Sequence, residues 1–418
     1  MTRARGAKVG VLRITSRDIR SDSRLDVLHA ILSAGETTRN ELARVTGLSA
    51  ATVATVVGEL IGEGIVVETK VTAGRVGRPT AALGVNADRG HVVGVDVAET
   101  YLRAALFDTA LNQVGFIEVA RDEHVLDPET MTEAVGGALD RMLSEHGLTR
   151  EEVLGIGVTL PGLVQGPVGL TVFVPNLAWS TDDLDKLRER VGIPLVIDNP
   201  LKAIATAELW LGRGRYTSSL VTVNLGTGVG AAIALDGRIV RGATNSAGEW
   251  GHTLLVLDGR ECRCGRRGCV EAYVGVPGIV ETLREIAPDH PLVGTELQRD
   301  FIVAMARAVE TDEPDAAVQA TLDRTAYYLG SALADLVAVV NPEVVTLTGW
   351  ITWALGARLL PAVRQHVREQ APGTSADELV VEMSTVKGNS VTTGVATIAL
   401  ERSLADAGLI TRRTPITL

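Results

Sequence analysis

Four side chains in one short stretch of the chain have types and spacing that could bind a metal ion together. His252, Cys262, Cys264 and Cys269 follow the pattern His-x9-Cys-x-Cys-x4-Cys, and the chain has no other cysteine. Three thiolates and one imidazole are a donor set that a four-coordinate structural zinc takes. We therefore predict a structural Zn²⁺ site, with the alternative that three buried cysteines lie near an unrelated histidine.

The residues between the cysteines fit this prediction. Arg263, Arg266 and Arg267 are cations, and nearby cations favour the thiolate form that binds a metal. Gly265 and Gly268 allow the backbone to turn tightly round an ion. Because four protein ligands would close the metal's shell, the ion would hold a loop and would not activate water.

Length and composition limit the possible architectures. The chain has 418 residues, of which 46% are hydrophobic but only 3% aromatic, with 44 glycines. This composition favours two or three α/β domains with many tight turns. No apolar run reaches about 18 residues, and no apolar segment follows the basic N-terminus, so we expect neither a transmembrane helix nor a secretory signal. Clustered cysteines fit a reducing cytoplasm.

Charge is distributed unevenly along the chain. Residues 1–90 contain 13 Lys and Arg against 9 Asp and Glu, whereas residues 91–418 contain 27 against 42. A basic front on an acidic body is typical of a DNA-binding head joined to a ligand-binding body. The alternative is chance together with a disordered basic tail, and we predict that residues 1–20 form a flexible tail of this kind.

Residues 21–85 have the pattern of a winged helix-turn-helix domain. One helix ends at Gly35, a second spans 38–46, Gly47 makes a turn, and a third spans 50–63. In this layout the last helix enters the major groove of DNA. Its first turns expose no Arg, Lys, Asn or Gln, so we do not expect bidentate reading of guanine or adenine. The residues predicted to contact DNA here are Thr38, Ser49, Ala51, Thr52 and Thr55.

A wing is predicted after the third helix. Residues 65–71 and 80–85 are the predicted strands, and the loop between them contains Arg75 and Arg78 beside glycine and proline. Arginine in such a loop can enter a narrow minor groove. The alternative is a winged helix that binds another protein instead of DNA.

From residue 86 the chain alternates strands and helices. A β-β-β-α run in each half predicts two similar lobes around a cleft. Residues 174–179 (VPNLAW) are predicted as a loop. The predicted strands are 91–97, 102–107, 115–119, 153–159, 194–197, 219–224, 231–235 and 344–348, and the predicted helices are 128–146, 201–210, 317–340 and one that contains 394–400.

Several motifs of the body resemble one known family. They are IGVTLPGLV (156–164), VPNLAW (174–179), LGTGVG (225–230) and GEWGH…CRCGRRGCVEAY (248–273), with GRVGRPTAALGVN (74–86) between head and body. Residues 86–402 resemble the ROK family of repressors, open reading frames and sugar kinases, in its transcriptional-regulator branch. The resemblance implies an α/β, actin-like ATPase fold of two lobes, a structural zinc, a monosaccharide site in the cleft, and a homodimer or homotetramer.

On this basis we divide the body into two lobes. The N-terminal lobe is predicted to consist of residues 86–198 and 390–418. The C-terminal lobe, with the zinc loop, is predicted to consist of residues 199–389.

A sugar kinase of this family needs features that the chain lacks. The first phosphate loop should read D-x-G-[GA]-T, but residues 96–100 read DVAET, with Ala98 and Glu99 at the positions that approach phosphate. The catalytic aspartate should stand in a motif like E-N-D-A-N, but residues 198–202 read DNPLK. Pro200 then occupies the general-base position and has no group that titrates.

The nucleotide side shows one further loss and one retention. A Gly-Gly pair near adenine is replaced by Gly349-Trp350, and an indole there would occupy space that a nucleotide needs. The second phosphate loop, residues 226–228, is retained, but a glycine-rich hairpin alone is weak evidence. We therefore predict that the protein is not an enzyme and has no catalytic residues.

The sugar-reading positions implied by the resemblance are present. Their side chains all form hydrogen bonds with hydroxyl groups. His252 would bind zinc through one ring nitrogen and offer the other to the sugar. The alternative is that the two glutamates are solvated surface charges. These positions are Asn176, Asn199, Glu249, His252 and Glu271.

Lys202 stands where the kinase motif has its second asparagine. A cation beside the sugar site would favour a phosphorylated or acidic sugar, so the effector is predicted to be a monosaccharide or a sugar phosphate. The alternative is a lysine on the exposed side of a helix.

These features together predict a cytoplasmic, sugar-responsive transcription factor, most often a repressor in such families. It would bind operator DNA as a homo-oligomer, and sugar would close the cleft and change the spacing of the DNA-binding heads. One alternative is an active sugar kinase with a DNA-binding head. Another is a regulator controlled by a protein partner, with a vestigial cleft.

Overall fold

The computed structural model describes residues 16–69, 81–98, 101–120, 127–160, 163–165, 171–174 and 177–409. These residues form two compact units, of which one contains the residues up to Arg89 together with residues 403–409 and the other spans Gly90–Arg402. Each unit has its own elements and its own buried core.

The first unit has the predicted helix-turn-helix order. Its elements are α1 (Ser16–Ala34), α2 (Arg39–Thr46), α3 (Ala50–Gly62), β1 (Val66–Thr69) and β2 (Ala82–Val85). Leu28, Leu42 and Val53 are fully buried where the three helices pack together. Gly47 ends α2 at φ +69°, a left-handed conformation that glycine adopts without strain. The two strands pair antiparallel, as predicted for a wing.

The predicted wing loop itself lies outside the described residues, because the structure leaves out residues 70–80. In the part of the chain that the structure covers, no single helix is long and apolar enough to span a membrane. Helices α2 and α3 are long and apolar enough only when taken together, and the chain bends by 116° between them.

The second unit begins with a lobe built on a five-stranded sheet. Its elements are β3 (His91–Val97), β4 (Tyr101–Asp108), β5 (Gln113–Ala120), α4 (Pro128–His146), β6 (Val153–Thr159), β7 (Leu163–Gln165), β8 (Thr171–Val174), β9 (Leu177–Trp179), α5 (Thr181–Val191) and β10 (Leu195–Asp198). The sheet order is β10-β6-β3-β4-β5. Strands β3, β4 and β5 form the predicted antiparallel meander, and β6 and β10 add to it in parallel. Helices α4 and α5 cover the sheet and bury Leu139 and Leu187.

The prediction that residues 174–179 form a loop is wrong at both ends, since Val174 is the last residue of strand β8. Leu177–Trp179 is strand β9, which pairs antiparallel with β8 in a small sheet of three strands. Trp179 is 1% exposed. Burial of this indole favours a strand where the preceding Pro-Asn pair predicts a turn.

The second lobe has a sheet of the same size. Its elements are α6 (Pro200–Leu211), β11 (Ser219–Leu225), β12 (Val229–Leu235), β13 (Arg238–Ile239), α7 (Glu271–Val274), α8 (Val276–Ile286), α9 (Gln298–Val309), α10 (Ala316–Val340), β14 (Val344–Thr348), α11 (Trp350–Gln370) and β15 (Val380–Met383). The sheet order is β13-β12-β11-β14-β15. Helix α10 buries Leu329, Leu333 and Val337, which repeat at helical spacing against this sheet. The predicted pair of similar lobes is confirmed. The last helix, α12 (Ser390–Asp406), lies against the first-lobe sheet, where a Cβ at Gly94 of β3 would overlap the carbonyl oxygen of Thr392.

Helices α6 and α12 pass between the two lobes. Helix α6 follows β10 of the first lobe and packs on β11 and β12 of the second. Ala203 and Val395 bring the two helices together in a small buried cluster. A Cβ at Gly394 would overlap the carbonyl oxygen of Ala203, and a Cβ at Gly157 of β6 would overlap that of Val395. The lobes are therefore joined where backbones approach more closely than side chains would allow.

Candidate functional site

The four predicted metal ligands converge in the second lobe. The ligand atoms of His252, Cys262, Cys264 and Cys269 all lie within 4.8 Å of one another. His252 Nδ1 is 3.7 Å from Cys262 Sγ, and Cys264 Sγ is 3.7 Å from Cys269 Sγ. With Zn–S bonds of about 2.3 Å, neighbouring sulfur atoms of a tetrahedral zinc site lie about 3.8 Å apart. The donor set and its spacing therefore fit a four-coordinate zinc ion.

Short elements hold these ligands in place. His252 is the last residue of a single turn of 3-10 helix, Trp250–His252. The side chain of Trp250 in this turn is buried. Gly265 and Gly268 have φ of +83° and +77°. A Cβ at Gly268 would also overlap the carbonyl oxygen of Val256. The prediction that glycines let this loop turn tightly is therefore confirmed.

At two of the three cysteines burial outweighs the effect predicted for the arginines, although attraction to Arg266 does lower the pKa of Cys269 in part. Burial raises the pKa of Cys262 to about 12, and burial also raises the pKa of Cys269. At Cys264 burial acts in the same direction, but hydrogen bonds from the Arg266 backbone N–H and from the other thiols lower the pKa overall. A metal that binds here must therefore displace protons from buried thiols.

Glu271 connects the four predicted metal ligands to the glycine-rich hairpin between β11 and β12. Its Oε2 accepts the Val229 backbone N–H at 3.0 Å. Its Oε1 lies 3.7 Å from Cys262 Sγ and 3.7 Å from Arg263 Nη2. The residue is 8% exposed. The alternative that Glu271 is a solvated surface charge is therefore wrong, because the carboxylate is buried and paired.

Glu249 stands at the other edge of the cluster. It immediately precedes the 3-10 helix, and its carbonyl oxygen accepts the His252 N–H at 3.0 Å. Both side chains are half-buried. Since His252 directs Nδ1 towards Cys262, Nε2 is the ring nitrogen that remains for a second partner.

Residue 200, which the resemblance matches to the catalytic base of the kinases, lies at the start of a helix. Pro200 is the first residue of α6, and Asn199 is its N-cap, with Oδ1 accepting the Leu201 N–H at 2.8 Å. The neighbouring carboxylate, Asp198, accepts Nη2 of Arg241 at 2.7 Å and Nη1 at 3.1 Å. No proton acceptor stands at position 200, and the closest carboxylate in the sequence is paired with an arginine.

The alternative that Lys202 lies on an exposed helix face is wrong. The residue is 2% exposed. Its Nζ donates to the carbonyl oxygen of Asn245 at 2.8 Å and lies 3.5 Å from that of Ala247. Burial lowers the pKa of Lys202, while attraction to Asp198 and Glu249 opposes that effect. The ammonium group is therefore part of the protein's buried polar structure.

The first phosphate loop has lost its glycine and keeps its aspartate buried. Asp96 accepts the hydroxyl of Thr159 at 3.0 Å and that of Tyr101 at 3.3 Å. Burial raises the pKa of Asp96, and the hydrogen bond from Thr159 opposes the rise. Glu99 and Thr100 of this loop lie outside the described residues. Asp96 therefore makes its hydrogen bonds within its own lobe.

The indole of Trp350 lies close to the retained second phosphate loop. Trp350 begins α11, and a Cβ at Gly226 would lie only 2.9 Å from its Nε1. Gly349 has φ +92°, and a Cβ there would overlap the carbonyl oxygen of Leu225. Trp350 therefore lies beside a hairpin whose backbone N–H groups a nucleotide phosphate would have to reach.

In the first unit the predicted DNA-contacting residues lie at two helix starts. Thr38 caps α2, and Ser49 caps α3 by accepting the Thr52 N–H at 3.1 Å. Ala51 and Thr55 are exposed on α3. Thr55 donates its hydroxyl to the carbonyl oxygen of Ala51 at 3.0 Å. These hydroxyl groups thus have local partners, and their contact with DNA stays a prediction.

Three predicted site residues cannot be located, and two unpredicted ones stand out. Asn176, Arg75 and Arg78 lie outside the described residues. Arg241 and Asn245 belong to the buried polar cluster but were not predicted. Arg241 follows a two-residue strand and pairs with Asp198, which precedes it by 43 residues. Only the turn composition of residues 242–246 (GATNS) marks this segment in the sequence.

Comparisons with known proteins agree with this architecture. A model of the ROK family matches residues 92–402, and a model of winged helix-turn-helix DNA-binding domains matches residues 20–67. A xylose repressor of Caldicellulosiruptor bescii is 27% identical over 394 residues, which cover 92% of this chain and 96% of the relative. A glucokinase of Halalkalibacterium halodurans is 32% identical over 304 residues, which cover 72% of this chain and 91% of the relative.

A solved structure shows the same fold over nearly the whole chain. It is a ROK family transcriptional regulator, described as a homologue of the E. coli MLC protein. The two structures superpose with a TM-score of 0.73 at 24% identity, over 94% of this chain and 99% of that one. The match to this regulator thus includes both the head and the body of the chain. The glucokinase match covers a smaller share of the chain.

Proposed function

The chain belongs to the ROK family, and we propose that it is a sugar-responsive, DNA-binding transcriptional repressor of carbohydrate metabolism. A winged helix-turn-helix match beside the ROK match supports this proposal, as does a xylose repressor that aligns over most of both chains. Its partners would be operator DNA and a monosaccharide or sugar-phosphate effector. It would act in the cytoplasm, where bacterial operators lie.

One observation supports the proposal: the residue matched to the kinase base is a proline, while side chains that can bond to hydroxyls lie together in the second lobe. Pro200 stands at the base position, while Glu249, His252 and Glu271 border one metal cluster. Carboxylates and imidazole can hold a sugar by hydrogen bonds without any chemical step. Asn176 and Asn199 complete the proposed set of sugar-binding residues.

We propose that kinase chemistry is lost, although a glucokinase is among the relatives. Phosphoryl transfer from ATP to a sugar requires a base for the hydroxyl and a nucleotide held in line. Pro200 cannot serve as the base, and Asp198 is held by Arg241. Trp350 lies against the hairpin that would meet the phosphates.

We propose a structural Zn²⁺ held by His252, Cys262, Cys264 and Cys269. The ion, when bound, would fix the loop between Glu249 and Glu271 and so set the distance between the two carboxylates. It would leave no open position for a reaction, because the protein supplies four ligands.

DNA binding would use the exposed face of α3, which presents Ala51, Thr52 and Thr55, with Thr38 and Ser49 at the helix starts. Arg75 and Arg78 of the wing would enter the minor groove. A homodimer or homotetramer would present two heads to a roughly palindromic operator.

Calorimetry and thermal shift with zinc-loaded protein test the sugar site. The probes are D-xylose, D-glucose, N-acetylglucosamine and glucose 6-phosphate, each with and without ATP. Saturation at 100 times the dissociation constant adds about 2.7 kcal/mol to stability. Binding should disappear in Glu249→Gln and persist in Glu261→Gln, a control in the same loop whose carboxylate is exposed and paired with Arg267.

Other outcomes of this screen point to the alternatives. Sugar-dependent consumption of ATP would favour an active kinase with a DNA-binding head. No binding of any sugar by zinc-loaded protein would favour a regulator that responds to a protein partner.

A further inference from the structure

Residues 241–249, here called the linking segment, lead from the edge of the second-lobe sheet to the turn that carries His252, the first of the four proposed zinc ligands. The segment closes on itself, because the Ala247 N–H donates to the carbonyl oxygen of Arg241 at 3.1 Å. The Gly248 carbonyl oxygen accepts the Ala231 N–H of β12 at 3.0 Å. Glu249 follows directly, so its position depends on how this segment is held.

The side chain of Arg241 reaches from this segment to the first lobe. Its two terminal nitrogens meet the two oxygens of Asp198 at 2.7 Å and 3.1 Å. Asp198 is the last residue of β10, which belongs to the first-lobe sheet. The two side chains are 20% and 4% exposed. This is a bidentate, largely buried ion pair between the lobes, and such paired geometry is the strong form of a charge-assisted hydrogen bond.

A second cation holds the same segment from α6. Lys202 donates to the carbonyl oxygen of Asn245 at 2.8 Å. Arg241 donates to the side-chain oxygen of that same asparagine at 3.1 Å. Asn245 is 3% exposed and has φ +62°, a left-handed conformation that asparagine adopts more readily than most residues other than glycine. Two cations therefore donate to the same residue, Lys202 to the main chain and Arg241 to the side chain of Asn245.

This arrangement is costly unless all of its members are present. A buried charge is tolerated only when it is paired, and removal of one partner leaves the other unpaired in a low-dielectric environment. Two of its members, Asp198 and Lys202, lie in residues 198–202, the segment that the resemblance matches to the base motif of a kinase. The same positions thus serve here to attach the linking segment.

We propose that Asp198, Arg241 and Lys202 are positioning residues of the effector site, which clamp the linking segment to β10 and α6 and thereby present Glu249 to the sugar. The part of this inference that concerns sugar rests on the proposed function. The clamp itself can be tested without any ligand.

Hydrogen exchange measured by mass spectrometry on full-length, zinc-loaded protein tests the clamp. The variants are Arg241→Gln, Asp198→Asn, Lys202→Met and the double variant D198N/R241Q. The matched control is Arg188→Gln, which removes an exposed Arg–Asp pair within α5. Each clamp variant should speed exchange in residues 241–252 about tenfold or more, with α10 unchanged. The double variant should exchange more slowly than the two single effects combined predict, because it leaves neither member of the Asp198–Arg241 pair without its partner.

Two results would overturn the clamp. One is unchanged exchange in residues 241–252 of Arg241→Gln and Lys202→Met. The other is an equal rise throughout α10, which would show general destabilisation instead of a local attachment.

Calorimetry with the sugar probe that wild-type protein binds tests the positioning role. The dissociation constant should rise about tenfold or more in Arg241→Gln and Lys202→Met, with partial recovery in the double variant D198N/R241Q. Wild-type affinity in variants whose linking segment exchanges faster would overturn the positioning role. If wild-type protein binds none of the four probes, the proposed function fails, while the exchange data still decide the clamp.

Discussion

At the scale of single residues, the partners of each carboxylate decide what the cleft can do. Asp198 is paired with Arg241, Asp96 accepts two hydroxyl groups, and Glu271 accepts a backbone N–H. None of these is an uncommitted base at the position that a kinase requires. The grouping of His252 with the three cysteines was predictable from the sequence because their spacing is local and their residue types are rare in this chain. The role of Arg241 was not, since its partner lies 43 residues away and only the fold brings them together.

The substitution Asp96→Asn should make stability less dependent on pH. Burial raises the pKa of Asp96 in the folded protein above its ordinary value of 3.8. Its contribution to stability is therefore fully present below the unfolded pKa and is lost as pH rises through the folded pKa. Asparagine has no such proton to lose and keeps an acceptor for the Thr159 hydroxyl.

Thermal unfolding midpoints of wild-type protein and Asp96→Asn, measured from about pH 5 to pH 8, check this prediction. The variant should gain stability relative to wild type as pH rises. Other buried carboxylates such as Glu208 also have a raised pKa, so only the difference between the two proteins is informative. The prediction would be contradicted if the wild-type protein became more stable relative to the variant as pH rises.

The substitution Pro200→Asp should not restore phosphoryl transfer to sugar. It returns a carboxylate to the base position, but Trp350 still lies against the Gly226 hairpin. Without a bound nucleotide, a base has no phosphoryl group to direct. A coupled assay of ATP consumption with D-xylose and D-glucose should give the same background rate for wild type and variant. Sugar-dependent turnover by either protein would contradict the loss of kinase chemistry.

At the scale of elements, regular patterns predicted the regular parts of the fold. The helix at 128–146 and the strands at 91–97 and 153–159 were predicted with the bounds the structure has. Residues 174–179 were predicted as a loop because a Pro-Asn pair outweighs a three-residue strand, whose stability comes from burial of Trp179. Helix α11 was not predicted, and it continues across Pro361, a residue that normally ends a helix.

Gly394→Ala should destabilise the second unit by disturbing the contact between α6 and α12. The added Cβ would overlap the carbonyl oxygen of Ala203, and backbone atoms cannot move aside as a flexible side chain can. Overpacking of this kind costs about 1–3 kcal/mol or more. Gly137→Ala is the matched control, since a Cβ there, inside α4, would meet no atom within 4 Å.

Urea or thermal unfolding of the two variants gives the comparison. Gly137→Ala should be neutral or stabilising by up to about 1 kcal/mol, because alanine favours helix. Equal stability of Gly394→Ala and wild type would mean that the two helices can separate without cost.

Cys264→Ser should remove the metal and loosen the loop between Glu249 and Glu271. Elemental analysis of wild-type protein should give about one zinc per chain, as four-coordinate structural sites bind a single ion. The variant should lose most of it and show faster hydrogen exchange in residues 249–271. Wild-type protein that holds no zinc after purification with zinc present would contradict the metal assignment, whatever the variant does.

At the scale of the whole molecule, the head and the body have different tasks. The head has a helix-turn-helix and a pair of strands, and the body has two lobes, of which the second contains one histidine and three cysteines that could hold a metal ion. An effector can change DNA binding only if it binds two states of the protein with different affinities. The sequence predicted both parts and their order, since each has a local pattern. It could not predict the polar links between the lobes, because these depend on contacts that only the folded chain makes.

The affinity of the full-length, zinc-loaded protein for DNA, measured with and without sugar, tests the central claim most directly. A duplex selected from a random library would be labelled, and binding followed by fluorescence anisotropy at several salt concentrations. We predict salt-dependent binding to the selected duplex, and a change of about 5–150-fold with at least one monosaccharide or sugar phosphate. That change should be absent in Glu249→Gln. Failure to select any duplex, or an unchanged DNA affinity in protein shown by calorimetry to be saturated with sugar, would contradict the account.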